Sequence, residues 1–121
     1  MCYNKQKGGI MIKEKITTNV YLAGNLKKEA KEIFAIYSMS LSQAIDIFLT
    51  QTALMGSFPF EHGYQLFKNS VRTNISVNQT FHNKSKSIFN AHGLNFSQAI
   101  NIFLDISVKS RGLPFEVKIP S

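Results

Sequence analysis

The strongest constraint on this chain is a phrase that it carries twice. Ser42-Gln43-Ala44-Ile45-Asp46-Ile47-Phe48-Leu49 returns as Ser97-Gln98-Ala99-Ile100-Asn101-Ile102-Phe103-Leu104, an offset of 55 residues. Carried outward without a gap, the offset matches Thr18-Asn19 with Thr73-Asn74, Ile33-Phe34 with Ile88-Phe89, and Pro59-Phe60-Glu61 with Pro114-Phe115-Glu116. A third of the positions from Thr17 to Glu61 are identical in the copy, and most others keep their apolar or polar character. A constant offset with a preserved pattern marks a duplicated supersecondary unit. A unit of roughly 45–50 residues buries too little surface to stand comfortably alone, so the two copies are expected to share one core.

Within each copy the hydrophobic period changes twice. Ile16, Thr18, Val20 and Leu22 alternate with Lys15, Thr17, Asn19 and Tyr21, the pattern of a half-buried strand. The second copy repeats it, with Val71, Thr73, Ile75 and Val77 inward and Ser70, Arg72, Asn74 and Ser76 outward. Leu26, Ala30, Ile33, Phe34 and Tyr37 then fall on one helical stripe, as do Phe81, Ser85, Ile88, Phe89 and His92. Asn78 is a fit N-cap for the second of these helices; Ala23 cannot cap the first, leaving that end to Gly24 or Asn25. Ser38 and Gly93 break the helices, and Ser40 and Asn95 cap the next pair. These carry apolar residues too far around for one-sided packing, and Gly56 and Gly112 are expected to end them. A lone strand with one apolar face needs a partner, and the similar strand available is the other copy's. The expected architecture is therefore mainly α with a two-stranded antiparallel ribbon, in the order β-α-α-β-α-α.

The domain organisation follows: a flexible leader over 1–10, one copy over 11–61, a linker over 62–69, and the second copy over 70–121. Lys7-Gly8-Gly9 before Met11 suggests a purine-rich ribosome-binding sequence, and with it translation from Met11 rather than Met1. The single cysteine, Cys2, cannot form an internal disulfide, which favours the reducing cytoplasm. No apolar run reaches the length of a membrane span.

Net charge is +7, which suits a polyanionic partner. The charge is uneven by copy: residues 17–61 sum to −1, residues 70–116 to +3, and residues 1–16 add four lysines against Glu14. The second copy and the leader are thus the expected electrostatic contacts, although solvation of an exposed face accounts for part of the pattern. His62, His82 and His92 have no zinc-ligand spacing with one another or with Cys2, so no metal is expected. No paired carboxylates, nucleophile–base set or glycine-rich phosphate loop stands out; neither enzymatic activity nor a cofactor is expected.

The phrases Thr18-Asn19-Val20-Tyr21-Leu22, Leu26-Lys27-Lys28-Glu29-Ala30, Leu41-Ser42-Gln43-Ala44-Ile45-Asp46-Ile47-Phe48-Leu49 and Phe58-Pro59-Phe60-Glu61 resemble the ribbon-helix-helix family, and within it the RelB/DinJ antitoxins. The resemblance runs twice, over nearly everything from Met11 to Glu116. It implies a single-chain pseudo-dimer in which one chain supplies both halves of a unit that the family usually builds from two chains. It also implies a ribbon laid in the DNA major groove, with outward strand residues reading base edges. Those positions are Thr17, Asn19 and Tyr21 in the first copy and Arg72, Asn74 and Ser76 in the second. Phosphate contacts fall to the starts of the second helices, at Ser40 and Ser42 and at Asn95 and Ser97. The implied function is a sequence-specific, double-stranded-DNA-binding transcription regulator, monomeric or self-associating on its operator. The alternative is an antitoxin that binds a small toxin protein. RelB/DinJ antitoxins usually continue past Pro-Phe-Glu into a long toxin-wrapping tail, whereas here a short linker follows the first copy and residues 117–121 the second. A single chain also makes the reading surface asymmetric, with no reason to prefer a perfect palindrome.

Overall fold

Alternation produces the two strands. β1 (Lys15–Ala23) and β2 (Ser70–Asn78) pair antiparallel as a two-stranded sheet, and Val20, Leu22, Thr73, Ile75 and Val77 are buried beneath it. The computed structural model describes residues 14–59 and 70–115. The expected leader, the start at Met11, the linker, Cys2, His62 and the C-terminal residues 116–121 lie outside them. After each strand come two helices: α1 (Gly24–Ile36) and α2 (Leu41–Met55), then α3 (Gln79–Ala91) and α4 (Phe96–Ser110). The described residues are mainly helical with one antiparallel strand pair, and among them no single helix is long and apolar enough to cross a membrane.

Register fixes how the copies meet. Asn19 pairs with Asn74, its own counterpart 55 residues on, so the approximate two-fold axis relating the copies passes between them. Phe48 and Phe103, another counterpart pair, stack with ring centroids 4.5 Å apart and planes parallel, and are centred on the same axis. Around that stack lie Phe34, 5.9 Å from Phe103, and Phe89, 5.6 Å from Phe48. All four rings are fully buried. Packing crosses between copies: α2 lies mainly on α3 and β2, and α4 mainly on α1 and β1. One core therefore serves both units.

Local chemistry sets the helix ends. Ser40 and Asn95 each accept a hydrogen bond from the backbone N–H of the residue three on, Gln43 or Gln98. The glutamine side chains accept in return from the Ser40 and Asn95 N–H groups, completing two capping boxes. Asn78 caps α3 through the Phe81 N–H, whereas α1 starts after Ala23 with no side-chain cap from Gly24 or Asn25.

Four expectations shift. Tyr37 is exposed rather than part of the α1 stripe, because its hydroxyl donates to the Arg111 carbonyl at 3.0 Å. His92 is exposed as well, against the edge of the Phe58 ring. Val71 is exposed at the ribbon's end. Finally, Arg111 rather than Gly112 takes the left-handed conformation that closes α4, at φ 60°. Gly112 answers to a different constraint, since a Cβ there would come within 3.1 Å of the Tyr37 hydroxyl.

Candidate nucleic-acid interface

The face of the ribbon opposite the core is lined by all six outward residues singled out in the sequence. Thr17 sits across from Ser76, Asn19 from Asn74, and Tyr21 from Arg72, every one of them exposed. Period-two geometry brings them there: the residues between them point into the core, so these cannot. The pairs run from one end of the ribbon to the other with increasing reach: two short hydroxyls, two carboxamides, then a phenol beside a guanidinium.

Helix starts flank this face. The Ser76 N–H donates to Ser42 Oγ at 3.1 Å, and the Tyr21 N–H donates to Ser97 Oγ at 3.0 Å. These are the same bond in the two copies, tying the start of each second helix to the strand of the other copy. A serine oxygen that accepts one bond still has its own O–H to donate. Ser42 and Ser97 thus position the strands as well as facing the site. Ser40 and Asn95 spend their side-chain oxygens on capping, which leaves the Ser40 O–H and the Asn95 amide N–H groups for a ligand.

One turn further in, the counterparts Asp46 and Asn101 secure the strand ends. Asp46 Oδ1 accepts from the Asn78 N–H at 2.8 Å, and Asn101 Oδ1 from the Ala23 N–H at 2.9 Å. Asn101 also donates through Nδ2 to the Tyr21 and Ser97 carbonyls, both at 2.9 Å. Asp46 instead pairs with Lys15 at 3.4 Å, near solvent. Neither residue appeared among the sequence candidates.

Between the ribbon and the helices lie two clefts related by the two-fold axis. The first is bordered by Lys27 and Lys31 of α1, the start of α2, and Arg72, Thr73 and Asn74 of β2. The second, about 520 Å³, is bordered by His82 and Lys86 of α3, the start of α4, and Thr18, Asn19 and Tyr21 of β1. No aspartate or glutamate lines either cleft. Charge is distributed here otherwise than the count by copy suggests. The more cationic cleft takes two lysines from the acidic first copy and Arg72 from the basic second. Lys84 lines neither, and Lys86 lines the second. A signal for the lysines was present in the repeat itself: Lys31 and Lys86 are identical at the shared offset while most charged positions around them diverge.

Comparison with protein-family models, with curated proteins and with solved structures finds no match for this chain.

Proposed function

We propose that this chain is a sequence-specific DNA-binding transcription regulator of the ribbon-helix-helix type, similar to the RelB/DinJ antitoxins, in which a tandem repeat makes one chain a complete pseudo-dimer. It would act in the cytoplasm as a monomer, or self-associated on its operator. The observation that carries this reading is the exposed ribbon face. Three cross-strand pairs of hydrogen-bonding side chains stand clear of the core and are flanked by two acid-free clefts with lysines. A two-stranded ribbon has the width that the major groove admits. From Thr17 to Tyr21 the strand covers about 13 Å, the length of roughly four base pairs.

The chemistry of each position suits a base edge. Asn19 and Asn74, side by side on the axis, can each bridge adenine N6 and N7. Arg72 can fork onto guanine O6 and N7, while Thr17 and Ser76 bond to either partner of a pair. Phosphates on both sides would meet the Ser40, Ser42 and Ser97 hydroxyls, the Asn95 amide and the lysines, which orient the protein without reading sequence.

Selection from random duplexes at moderate salt tests this. The full chain should enrich a motif, and Asn19→Ala/Asn74→Ala should lose the preference at its centre while keeping salt-sensitive binding to any duplex. If the wild-type chain enriches nothing, the DNA reading fails. The antitoxin reading then leads, favoured by one feature: Ile36, Leu54 and Met55 are exposed apolar side chains near the ends of α1 and α2. Binding to a small protein toxin would be its test.

A further inference from the structure

The internal two-fold axis relates the positions of the two clefts but not their charges. Lys27, Lys31 and Arg72 gather at the first; the positions that the axis relates to them hold His82, Lys86 and Thr17. The ribbon is unequal along its length in the same sense. Its Tyr21–Arg72 end carries the long side chains, and its Thr17–Ser76 end the short ones.

We propose that this inequality makes the DNA complex directional. A single chain would bind a non-palindromic site in one orientation, with a guanine beneath Arg72 and the adjoining phosphates held by Lys27 and Lys31. The inference rests on the DNA-binding reading above and adds to it which end grips harder, and why. The grip is composite. Arg72 comes from the second copy and the lysines from the first, and they share a cleft because each strand lies against the helices of the opposite copy. At the other end, hydroxyls at Thr17 and Ser76 accept several bases, and the second cleft, which runs along β1 from Thr18 to Tyr21, is lined by a single lysine, Lys86. A bidentate arginine–guanine contact discriminates by roughly 10- to 100-fold, so one such contact at one end is enough to orient the protein.

Arg72 and Thr17 are both exposed, so exchanging them leaves the core untouched. Binding-site selection and phosphate-ethylation interference on the full chain, on Arg72→Ala and on the exchanged variant Thr17→Arg/Arg72→Thr test the proposal. Wild type should enrich an asymmetric motif with one strongly preferred guanine, and Arg72→Ala should lose that preference by tenfold or more in that half alone. The exchanged variant should move the guanine to the opposite half. Lys27→Ala/Lys31→Ala should weaken all sequences alike, lower the salt slope by about 2, and erase interference on the guanine side only. A palindromic wild-type motif, or a guanine that stays in place in the exchanged variant, overturns directionality while leaving DNA binding intact. No enriched motif at all removes the DNA reading and this inference with it.

Discussion

Asp46 and Asn101 occupy the same place in the two copies and hold the same kind of bond, yet they do so by different means. Each accepts from the last amide of the opposite strand. Asn101 adds two donated bonds to the half-buried Tyr21 and Ser97 carbonyls, while Asp46, a carboxylate with no N–H to donate, turns its second oxygen toward Lys15 at the surface. The wider comparison runs the same way. Where the copies meet on the two-fold axis they match, in Asn19 with Asn74 and Phe48 with Phe103. Where each faces water alone they diverge, in charge, capping and helix ends. Duplication inside one chain relaxes the requirement that both halves be equal but keeps it at the shared seam, where each residue packs against its own counterpart.

The largest expected effect tests the matched part. Phe48→Ala and Phe103→Ala each remove one ring of a parallel stack at the centre of the core. Each should cost about 3–5 kcal/mol, enough to unfold much of so small a fold. Because the two cavities merge, the double variant should cost less than the two singles added. Urea titrations compare them. A phenylalanine whose loss is tolerated while the other's is not would mean that the core is not shared evenly.

Next in size is the contrast at Asp46 and Asn101. Asn101→Ala removes that partner from the buried Ala23 N–H and the half-buried Tyr21 carbonyl, and Asp46→Ala removes it from the half-buried Asn78 N–H. Each unmet buried group costs about 1–3 kcal/mol, so Asn101→Ala should be the more damaging by roughly 1 kcal/mol or more. Asp46→Asn sharpens the point. It should be tolerated or mildly stabilising, since the Lys15 pair it gives up is half in solvent and worth about 0–1 kcal/mol. If Asp46→Asn is strongly destabilising, the carboxylate does more at this end than the geometry assigns to it.

Much of this architecture was legible in the repeat. Alternation gave both strands, and the residue types at Ser40, Asn78 and Asn95 gave three caps that form as expected. The six outward residues reach one exposed face because period-two geometry leaves them no other place. What the sequence hid was the consequence of crossing. Charge counted along the chain assigned the basic surface to the second copy. The folded clefts mix copies, so Lys27 and Lys31 join Arg72 from across the ribbon. Asp46 and Asn101 were hidden for a related reason, since their partners are 32 and 78 residues away and no local pattern announces them. Tyr37 read as apolar by spacing, but its hydroxyl reaches a carbonyl 74 residues on.

The smallest expected effect lies at the helix ends, where each copy holds one left-handed glycine whose counterpart in the other copy carries a side chain. Gly56 closes α2 at φ 74°, and Arg111 closes α4 at φ 60°; Gly93 follows α3 at φ 77°, and Ser38 follows α1 at φ 61°. Left-handed backbone costs a residue with a Cβ about 1–2 kcal/mol, whereas glycine adopts it freely. Glycine loses more chain entropy on folding, about 0.4–1 kcal/mol, which offsets part of the gain. Arg111→Gly and Ser38→Gly should therefore each stabilise by roughly 0.5–1 kcal/mol, seen as a higher denaturation midpoint with an unchanged slope. The reverse changes, Gly56→Arg and Gly93→Ser, separate backbone from packing, because a Cβ at either glycine meets no atom within 4 Å. Each should cost about what its counterpart gains, near 1 kcal/mol or less. A much larger loss at Gly56 or Gly93 would show that these ends are held by something other than backbone conformation, and that the copies differ there in more than one residue.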